Sequence, residues 1–383
     1  MSDIKILVIG GGLFGLDLAI ELVQNGFDVT VIEKKTRILE GTTRGSLLRV
    51  HSGLHYPRHF ETAKQSMLGF DLFKTKYRDY VYDSFANYYA ISRLNSKTSS
   101  EQFEFFAKKL GFPYVKCENN LDSHLEFNRS KLSSIYKVGE GVIDIPKLRS
   151  YFIENLKSLS VKLLTGSEVI YLERSKTRSS WRVSYKSSIS DTNNVDSNEV
   201  SKGDYQFVID ATHSVNNYLN GIQEQNNNEY QITHMLNIEC KSSPFGLTVL
   251  DGNFLSILPL VENGKVSLTL YAPLPSVRAR YIGSSAPAEW LNSSNLENFF
   301  SLAEAEQQIL RASDEWAPGL LSSKVISTKT GIRVIESNVS DTDRRQSMVK
   351  SIAPGLYSIV STKLDHCIEI SAHLLKLVKE SLK

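Results

Sequence analysis

The sequence predicts an α/β fold: a Rossmann-type nucleotide-binding domain interleaved with an α+β substrate domain built on an antiparallel sheet. Three observations near the N-terminus carry the first half of that prediction. A short continuous apolar run, Lys5 to Ile9, enters the turn Gly10-Gly-Gly12-Leu-Phe-Gly15 directly. A helical pattern follows, with Leu16, Ala19, Ile20, Leu22 and Val23 on one face, and it stops at Asn25-Gly26. A second apolar run, Phe27 to Ile32, then ends at the acid Glu33.

Each part of this unit has a mechanical reason. An unbroken apolar run suits a parallel strand covered on both faces. Gly10 permits the tight turn, Gly12 lets the backbone approach a pyrophosphate, and Gly15 lets the helix pack close on the strand. Leu13 and Phe14 open the helix, so their N–H groups and the positive end of its dipole face the phosphates. Glu33, followed by Lys34, is placed to accept hydrogen bonds from an adenosine ribose. Its negative charge argues against a 2′-phosphate, hence against NADP.

Bulk properties narrow the class. A chain of 383 residues is long enough for two domains. The formal charge of +2 gives no reason to expect a nucleic-acid partner. Cys117, Cys240 and Cys367 lie too far apart for a disulfide framework or a metal site, so no metal is expected and a reducing compartment is. The run Ile4 to Val23 contains four glycines with Asp17 and Glu21, and it lacks a basic leader, so it does not read as a signal peptide. No stretch approaches 18 apolar residues, so no transmembrane segment is expected and the location expected is cytoplasmic.

The segment Glu40-Gly-Thr-Thr-Arg-Gly-Ser-Leu-Leu-Arg-Val-His-Ser-Gly-Leu-His-Tyr-Pro-Arg58 distinguishes a flavin from a nicotinamide cofactor. It resembles the flavin-approach segment of the D-amino-acid oxidase superfamily, which includes glycine and sarcosine oxidases, L-2-hydroxyglutarate oxidases and glycerol-3-phosphate dehydrogenases. The resemblance recurs along most of the chain. It covers Gly139 to Lys147 before a helix expected over 146–158, and the strand pair Val161 to Leu172. It continues through Phe207-Val-Ile-Asp-Ala-Thr-His-Ser214, Gly331-Ile-Arg333 and Gly355 to Asp365.

The resemblance implies non-covalent FAD. Thr42, Thr43 and Arg44 would run beneath the pyrophosphate, the backbone near Val169 would meet adenine, and Ala211 and Thr212 would close the cofactor domain. Lys363 and Leu364 would open a C-terminal helix facing the flavin pyrimidine. The chain departs from the family pattern at His213, where glycine is usual, and at Ser361-Thr362-Lys363, which replaces a glycine pair. The implied FAD-binding pieces are 1–60, 135–220 and 325–383, and the substrate-domain pieces 61–134 and 221–324. Within the latter, strands are expected near 247–250, 254–258 and 266–271. A helix is expected over 61–77, and Ser187 to Asp204 reads as a polar hairpin loop.

The resemblance also implies hydride transfer from a C–H bearing an amine or hydroxyl to the flavin. The small polar substrate would be an amino acid, a 2-hydroxy acid or a sugar derivative. Arg333 is the expected anchor for a substrate anion, because a planar guanidinium grips a carboxylate with two hydrogen bonds. A structural ion pair from Arg333 to Asp341 or Asp343 is the competing expectation. Arg49, His51 and His55 alternate as on one strand face, with Tyr56 beside them. A histidine takes protons near neutral pH, so His55, and after it His51, is the expected base. No second glycine motif follows a strand downstream, so oxygen, a quinone or a protein is the expected electron acceptor. Two alternatives stay open: a non-redox flavoprotein such as a nucleotide-sugar mutase, and a dinucleotide-binding regulatory protein.

Overall fold

The computed structural model describes residues 4–117, 127–175, 179–187, 200–213, 228–241, 243–293, 295–336 and 344–383. Strand Lys5–Ile9 lies at the centre of a six-stranded sheet, parallel to Asp28–Ile32 on one side and to Phe207–Asp210 on the other. Lys162–Leu164 and Leu356–Val360 extend the parallel pairing outward, and Met348–Ala353 adds an antiparallel edge.

The apolar runs are continuous because both faces of this sheet are covered. Ile6, Val8, Val29 and Val31 pack with the helices Leu13–Gln24, Ile145–Ser158 and Cys367–Glu380. Leu7, Ile9 and Val208 point the other way, onto Val169, Leu172, Trp181 and Val183. Those residues belong to an antiparallel meander of Ser167–Arg174, Trp181–Ser187 and Val200–Tyr205. The ends of the expected 187–204 loop are therefore paired strand, while residues 188–199 lie outside the described residues.

The second large sheet has nine strands and is mostly antiparallel, with one parallel pair between Ala86–Ser92 and Phe245–Leu250. The strands expected near 254–258 and 266–271 run over Ser256–Glu262 and Lys265–Tyr271. The helix expected over 61–77 runs over Phe60–Lys76, with His59 Nδ1 accepting from the Thr62 N–H at its start. Phe73, Tyr77, Tyr88 and Tyr89 of the aromatic-rich segment are core residues. Two expected boundaries fall within this sheet. Val325–Glu336 pairs along its length with Asn228–Glu239, and Leu132–Val138 pairs with Ala86–Ser92.

A small three-stranded sheet, Arg49–Val50, Gly141–Ile143 and Val81–Tyr82, links the two large ones. It fixes the segment 49–56 at the carboxyl edge of the parallel sheet, the edge at which open α/β sheets bind ligands.

Candidate active site

The glycine turn forms a cradle whose walls are backbone. Gly10 has φ +109°, and a Cβ there would lie 2.9 Å from the Ala211 carbonyl oxygen. A Cβ on Gly15 would lie 2.1 Å from the Gly10 oxygen, so helix and strand touch there. Gly12 differs, because a Cβ would meet only Thr43 Oγ1, at 3.4 Å. Its open side lies at the N-terminus of helix Leu13–Gln24, which has no side-chain cap and no acid in its first turn. The Leu13 N–H reaches Thr43 Oγ1 at 3.3 Å. Glu33 accepts from the Gly11 N–H at 2.6 Å and the Lys35 N–H at 2.7 Å, and burial raises its pKa despite these donors. Lys34 pairs with Glu168 at 2.8 Å, and Arg44 with Glu262 at 3.6 Å, both outward. Val169 puts its side chain in the core between the meander and the parallel sheet, and the strand shifts register between Val169 and Tyr171. Thr212 donates to Asp210, and the Ala211 N–H to Ile9.

Beside this cradle lies a buried polar cluster. His51 and His55 have ring centroids 5.5 Å apart, and Tyr56 stands 5.0 Å from His55. They meet through a turn and not by strand alternation. Only Arg49–Val50 is strand; Gly53 then takes φ +91°, and the Tyr56 N–H returns to the Gly53 carbonyl at 3.1 Å. A Cβ on Gly53 would strike the Ala63 oxygen at 2.3 Å. The reason for this glycine is close contact with helix Phe60–Lys76.

Both imidazoles are held well below the ordinary histidine pKa. Burial is the largest cause, and the cations Lys363 and Arg49 add to it. Their Nδ1 atoms are buried without a hydrogen-bond partner among the described residues. Lys363 sits with Nζ 4.9 Å from the Tyr56 ring centre. Leu364 opens the short turn Leu364–His366 that leads into helix Cys367–Glu380. In that turn Asp365 accepts from the His51 N–H at 2.8 Å, and burial raises its carboxyl to about 8.

Arg49 is committed elsewhere. It donates to Tyr89 Oη at 3.0 Å and to Thr248 Oγ1, and its Nε lies 3.8 Å from Glu140. Glu140 also accepts from the Ser52 N–H at 2.8 Å, Ser52 Oγ at 2.6 Å and Tyr89 Oη at 2.7 Å. Both side chains are almost wholly buried. A buried ion pair of this kind holds position, since removing either partner strands a charge in low dielectric.

One face of the nine-stranded sheet completes the site. Tyr89, Thr248, Ser256 and Tyr271 are successive cross-strand partners, so their side chains share a face. Arg333 lies opposite Gln231, Gly331 opposite Thr233 and Lys329 opposite Met235. The Arg333 guanidinium is 5.4 Å from the Tyr271 ring centre and donates to Gln231 Oε1 from Nε at 3.0 Å, which joins the two rows. Thr248 and Tyr271 are two strand spacings apart, roughly 10 Å. Tyr271 Oη is buried and unpartnered among the described residues. Lys329 is buried on the same face, and burial lowers its ammonium to about 8. Asp341 and Asp343, the acids expected to compete for Arg333, lie outside the described residues.

Residues 5–358 match the family described as FAD dependent oxidoreductase. The chain belongs to that family. Among curated relatives it is 26% identical over 265 residues to the FAD-dependent monooxygenase FPY4 of Fusarium mangiferae, covering 68% of this chain and 62% of that protein. It is 24% identical over 284 residues to the FAD-dependent monooxygenase kojA of Aspergillus flavus, covering 69% and 60%. The chain thus spans about three fifths of the length of these relatives. Its fold resembles that of glycine oxidase from Geobacillus kaustophilus (TM-score 0.72, 12% identity, 98% and 95% of the two chains covered). It also resembles L-alpha-glycerophosphate oxidase from Mycoplasma pneumoniae with FAD bound (TM-score 0.73, 14% identity, 98% and 94%).

This FAD-dependent oxidoreductase has the cradle its cofactor needs. The backbone beside Gly12 is open, and the N-cap Gly12 offers no side chain to the first N–H groups of the helix behind it. Membership of an oxidoreductase family favours redox chemistry over the mutase and regulatory alternatives. Among the described residues no helix is long and apolar enough to cross a membrane. Sequence reasoning did not single out Glu140, Tyr89, Tyr271, Lys329 or Asp365, which the structure adds to the candidate site. An acid between two glycines (Gly139, Gly141) was the one signal that could have singled out Glu140.

Proposed function

We propose that this oxidoreductase acts on a small anionic substrate at a carbon bearing an amine or a hydroxyl. The observation that carries this reading is the shared sheet face. There Arg333 is steadied by Gln231 and lies over Tyr271, and Tyr89 of the same row of cross-strand partners as Tyr271 stands 6.2 Å from the His55 ring. Arg333 would hold the substrate anion, and Tyr271 Oη would take a hydrogen bond from or give one to the substrate. When bound, FAD supplies the hydride acceptor. The neutral imidazoles of His55 and His51 would orient the N–H or O–H and receive its proton. Arg49 and Lys363 oppose a charged imidazole, so a substrate anion that offsets those cations raises the basicity of the histidines. Arg49 acts here through Glu140 and Tyr89 as a positioning residue.

For the cofactor we assign Gly10, Gly12, Leu13, Phe14 and Gly15 to the pyrophosphate and Glu33 with Lys34 to the adenosine ribose. Thr42, Thr43 and Arg44 follow the phosphates, Val169 lies at adenine, and Ala211 and Thr212 close the site. Lys363 and Leu364 face the pyrimidine. We also propose that FAD is held non-covalently, as expected from the positions of Cys117, Cys240 and Cys367, none of which falls in a motif for covalent flavin attachment. We further propose two interleaved domains, with Val325–Glu336 counted in the substrate domain because of its pairing. Oxygen, a quinone or a protein would take the electrons.

The names of the structural neighbours, glycine oxidase, L-proline dehydrogenase and glycerophosphate oxidase, support an amine or alcohol substrate. The curated relatives' names favour a second reading, monooxygenation. Anaerobic mixing separates the two. Bleaching of the bound flavin by one member of a panel of amino acids, 2-hydroxy acids, glycerol phosphate and sugar acids supports oxidation of substrate by FAD. No bleaching with any member, together with oxygen-dependent hydroxylation in the presence of a reductant, overturns it.

A further inference from the structure

We propose that Glu229 is a positioning residue for substrate binding: it locks the Gln231 amide in one orientation, and the locked amide aims the Arg333 guanidinium at a carboxylate of the substrate. This role rests on Arg333 being the anion anchor. It adds two residues that touch no substrate themselves.

The register of three strands brings the group together. Gln231 lies directly opposite Arg333 on one neighbouring strand and opposite Arg280 on the other, Val277–Gly283. Glu229 is two residues from Gln231 along Asn228–Glu239, so its side chain shares that face. Hydrogen bonds then run in one line. Arg280 Nη1 donates to Glu229 Oε1 at 2.5 Å, and Gln231 Nε2 donates to the same oxygen at 2.5 Å. Gln231 Oε1 in turn accepts from Arg333 Nε at 3.0 Å and from Nη2 at 2.5 Å.

Chemistry permits one orientation of that amide. A guanidinium has donors and no acceptor, and a carboxylate has acceptors and no donor. Gln231 is buried between the two, so its oxygen must face Arg333 and its nitrogen Glu229. Turned over, it would set N–H against N–H at one end and oxygen against oxygen at the other. Glu229 stays ionised in this setting. Burial acts to raise its pKa, but the hydrogen bonds from Gln231 and Arg280 and the charges of Arg280 and Arg333 hold it below the ordinary value.

Gln231 occupies the side-on edge of the Arg333 guanidinium, Nε with Nη2. The end-on edge, which includes Nη1, makes no hydrogen bond to the described residues. Two parallel N–H groups at that edge match the two oxygens of a carboxylate. Arg280 offsets the charge of Glu229, so Arg333 keeps its own for the substrate.

The test follows anaerobic flavin reduction of the FAD-loaded protein by the amino, hydroxy or sugar acid that bleaches it, and separates the apparent Kd from the limiting rate. Glu229→Gln frees the amide to turn. The Kd should rise about fivefold, the scale of one hydrogen bond, with limiting rate, flavin content and melting temperature near parental. Gln231→Leu, similar in volume, removes the link outright and should raise the Kd about tenfold. A double-mutant cycle separates positioning from general structure. In an Arg333→Lys background Glu229→Gln should add less than about twofold, because no fork is left to aim. An equal rise in both backgrounds, a lower limiting rate with unchanged Kd, or a parental Kd in Glu229→Gln would overturn the positioning role alone. Bleaching by no such acid, or a parental Kd in Arg333→Lys, would overturn the anchor itself and the role of Glu229 with it.

Discussion

Replacing Gly12 and Gly15 separately should break different things, and the structure says how much. Gly12 has φ −79° and ψ 176°, which any residue adopts, and its Cβ would meet only Thr43 Oγ1 at 3.4 Å. Gly12→Val should therefore fold, with a stability change within about 1 kcal/mol. The added branch, however, occupies the side where the backbone meets the pyrophosphate, and FAD affinity should drop at least a hundredfold, about 2.7 kcal/mol. Gly15→Ala faces a different wall. Its Cβ would sit 2.1 Å from the Gly10 oxygen, so helix and strand must separate by at least 0.9 Å to reach 3.0 Å, the closest that real Cβ atoms come. Overpacking of this kind costs about 1–3 kcal/mol or more, which lowers the melting temperature of a large domain by roughly 2–10 °C. Thermal unfolding with and without FAD, alongside FAD titration monitored by flavin fluorescence, separates the two effects. A Gly12→Val protein that binds FAD as tightly as the parent would refute the phosphate position. A Gly15→Ala protein with parental stability would refute the helix–strand contact.

Arg333→Lys replaces a fork with a point charge. KM for the bleaching substrate should rise about tenfold or more while flavin content and melting temperature stay near parental; loss of folding would mean that the Gln231 and Tyr271 contacts are structural. His55→Ala should slow anaerobic flavin reduction by at least about a hundredfold at saturating substrate, the lower end of general-base effects, with His51→Ala smaller; near-parental stopped-flow rates in both variants would remove the histidines from the chemistry. Asp365 carries a pH signature. Its folded pKa of about 8 stands above the unfolded 3.8, so the native state keeps a proton that the unfolded chain releases. Its contribution to stability is therefore full below pH 3.8 and is lost progressively as pH rises toward 8. Asp365→Asn, which can still accept from the His51 N–H, should flatten that decline in denaturant titrations. An unchanged slope between about pH 5 and 8 would show that Asp365 is ionised in the fold.

The six-stranded sheet was legible because its signals are local. A doubly buried strand, a glycine turn and an amphipathic helix each show within a dozen residues, and Lys5 to Glu33 contains all of them. The candidate-site cluster was legible only in part. His51, His55 and Tyr56 do converge, yet through the turn at Gly53, which strand alternation does not encode. The partners of Arg49 and Arg58 could not be read at all, because they depend on distant chain. Thr248 lies 199 residues from Arg49, and Asp251 lies 193 residues from Arg58, which it grips at 2.5 Å. Lys329, Arg333 and Tyr271 share a face by register, and register between strands is set by the whole sheet.

The order of strands in the parallel sheet also bears on how the chain is made. Lys5–Ile9 needs Phe207–Asp210 as a neighbour, and that strand in turn needs Leu356–Val360. At a ribosomal pace of about 5–20 residues per second, the first strand waits roughly 10–40 s for the second, and a further interval of similar order for the third. Through that time one edge of the apolar parallel pair formed with Asp28–Ile32 stays open, a template for pairing with the wrong partner. Slow synthesis and chaperone cover should therefore govern yield of this protein more than its final stability does, and early stop codons upstream of 356 should deliver aggregates in place of a smaller flavoprotein.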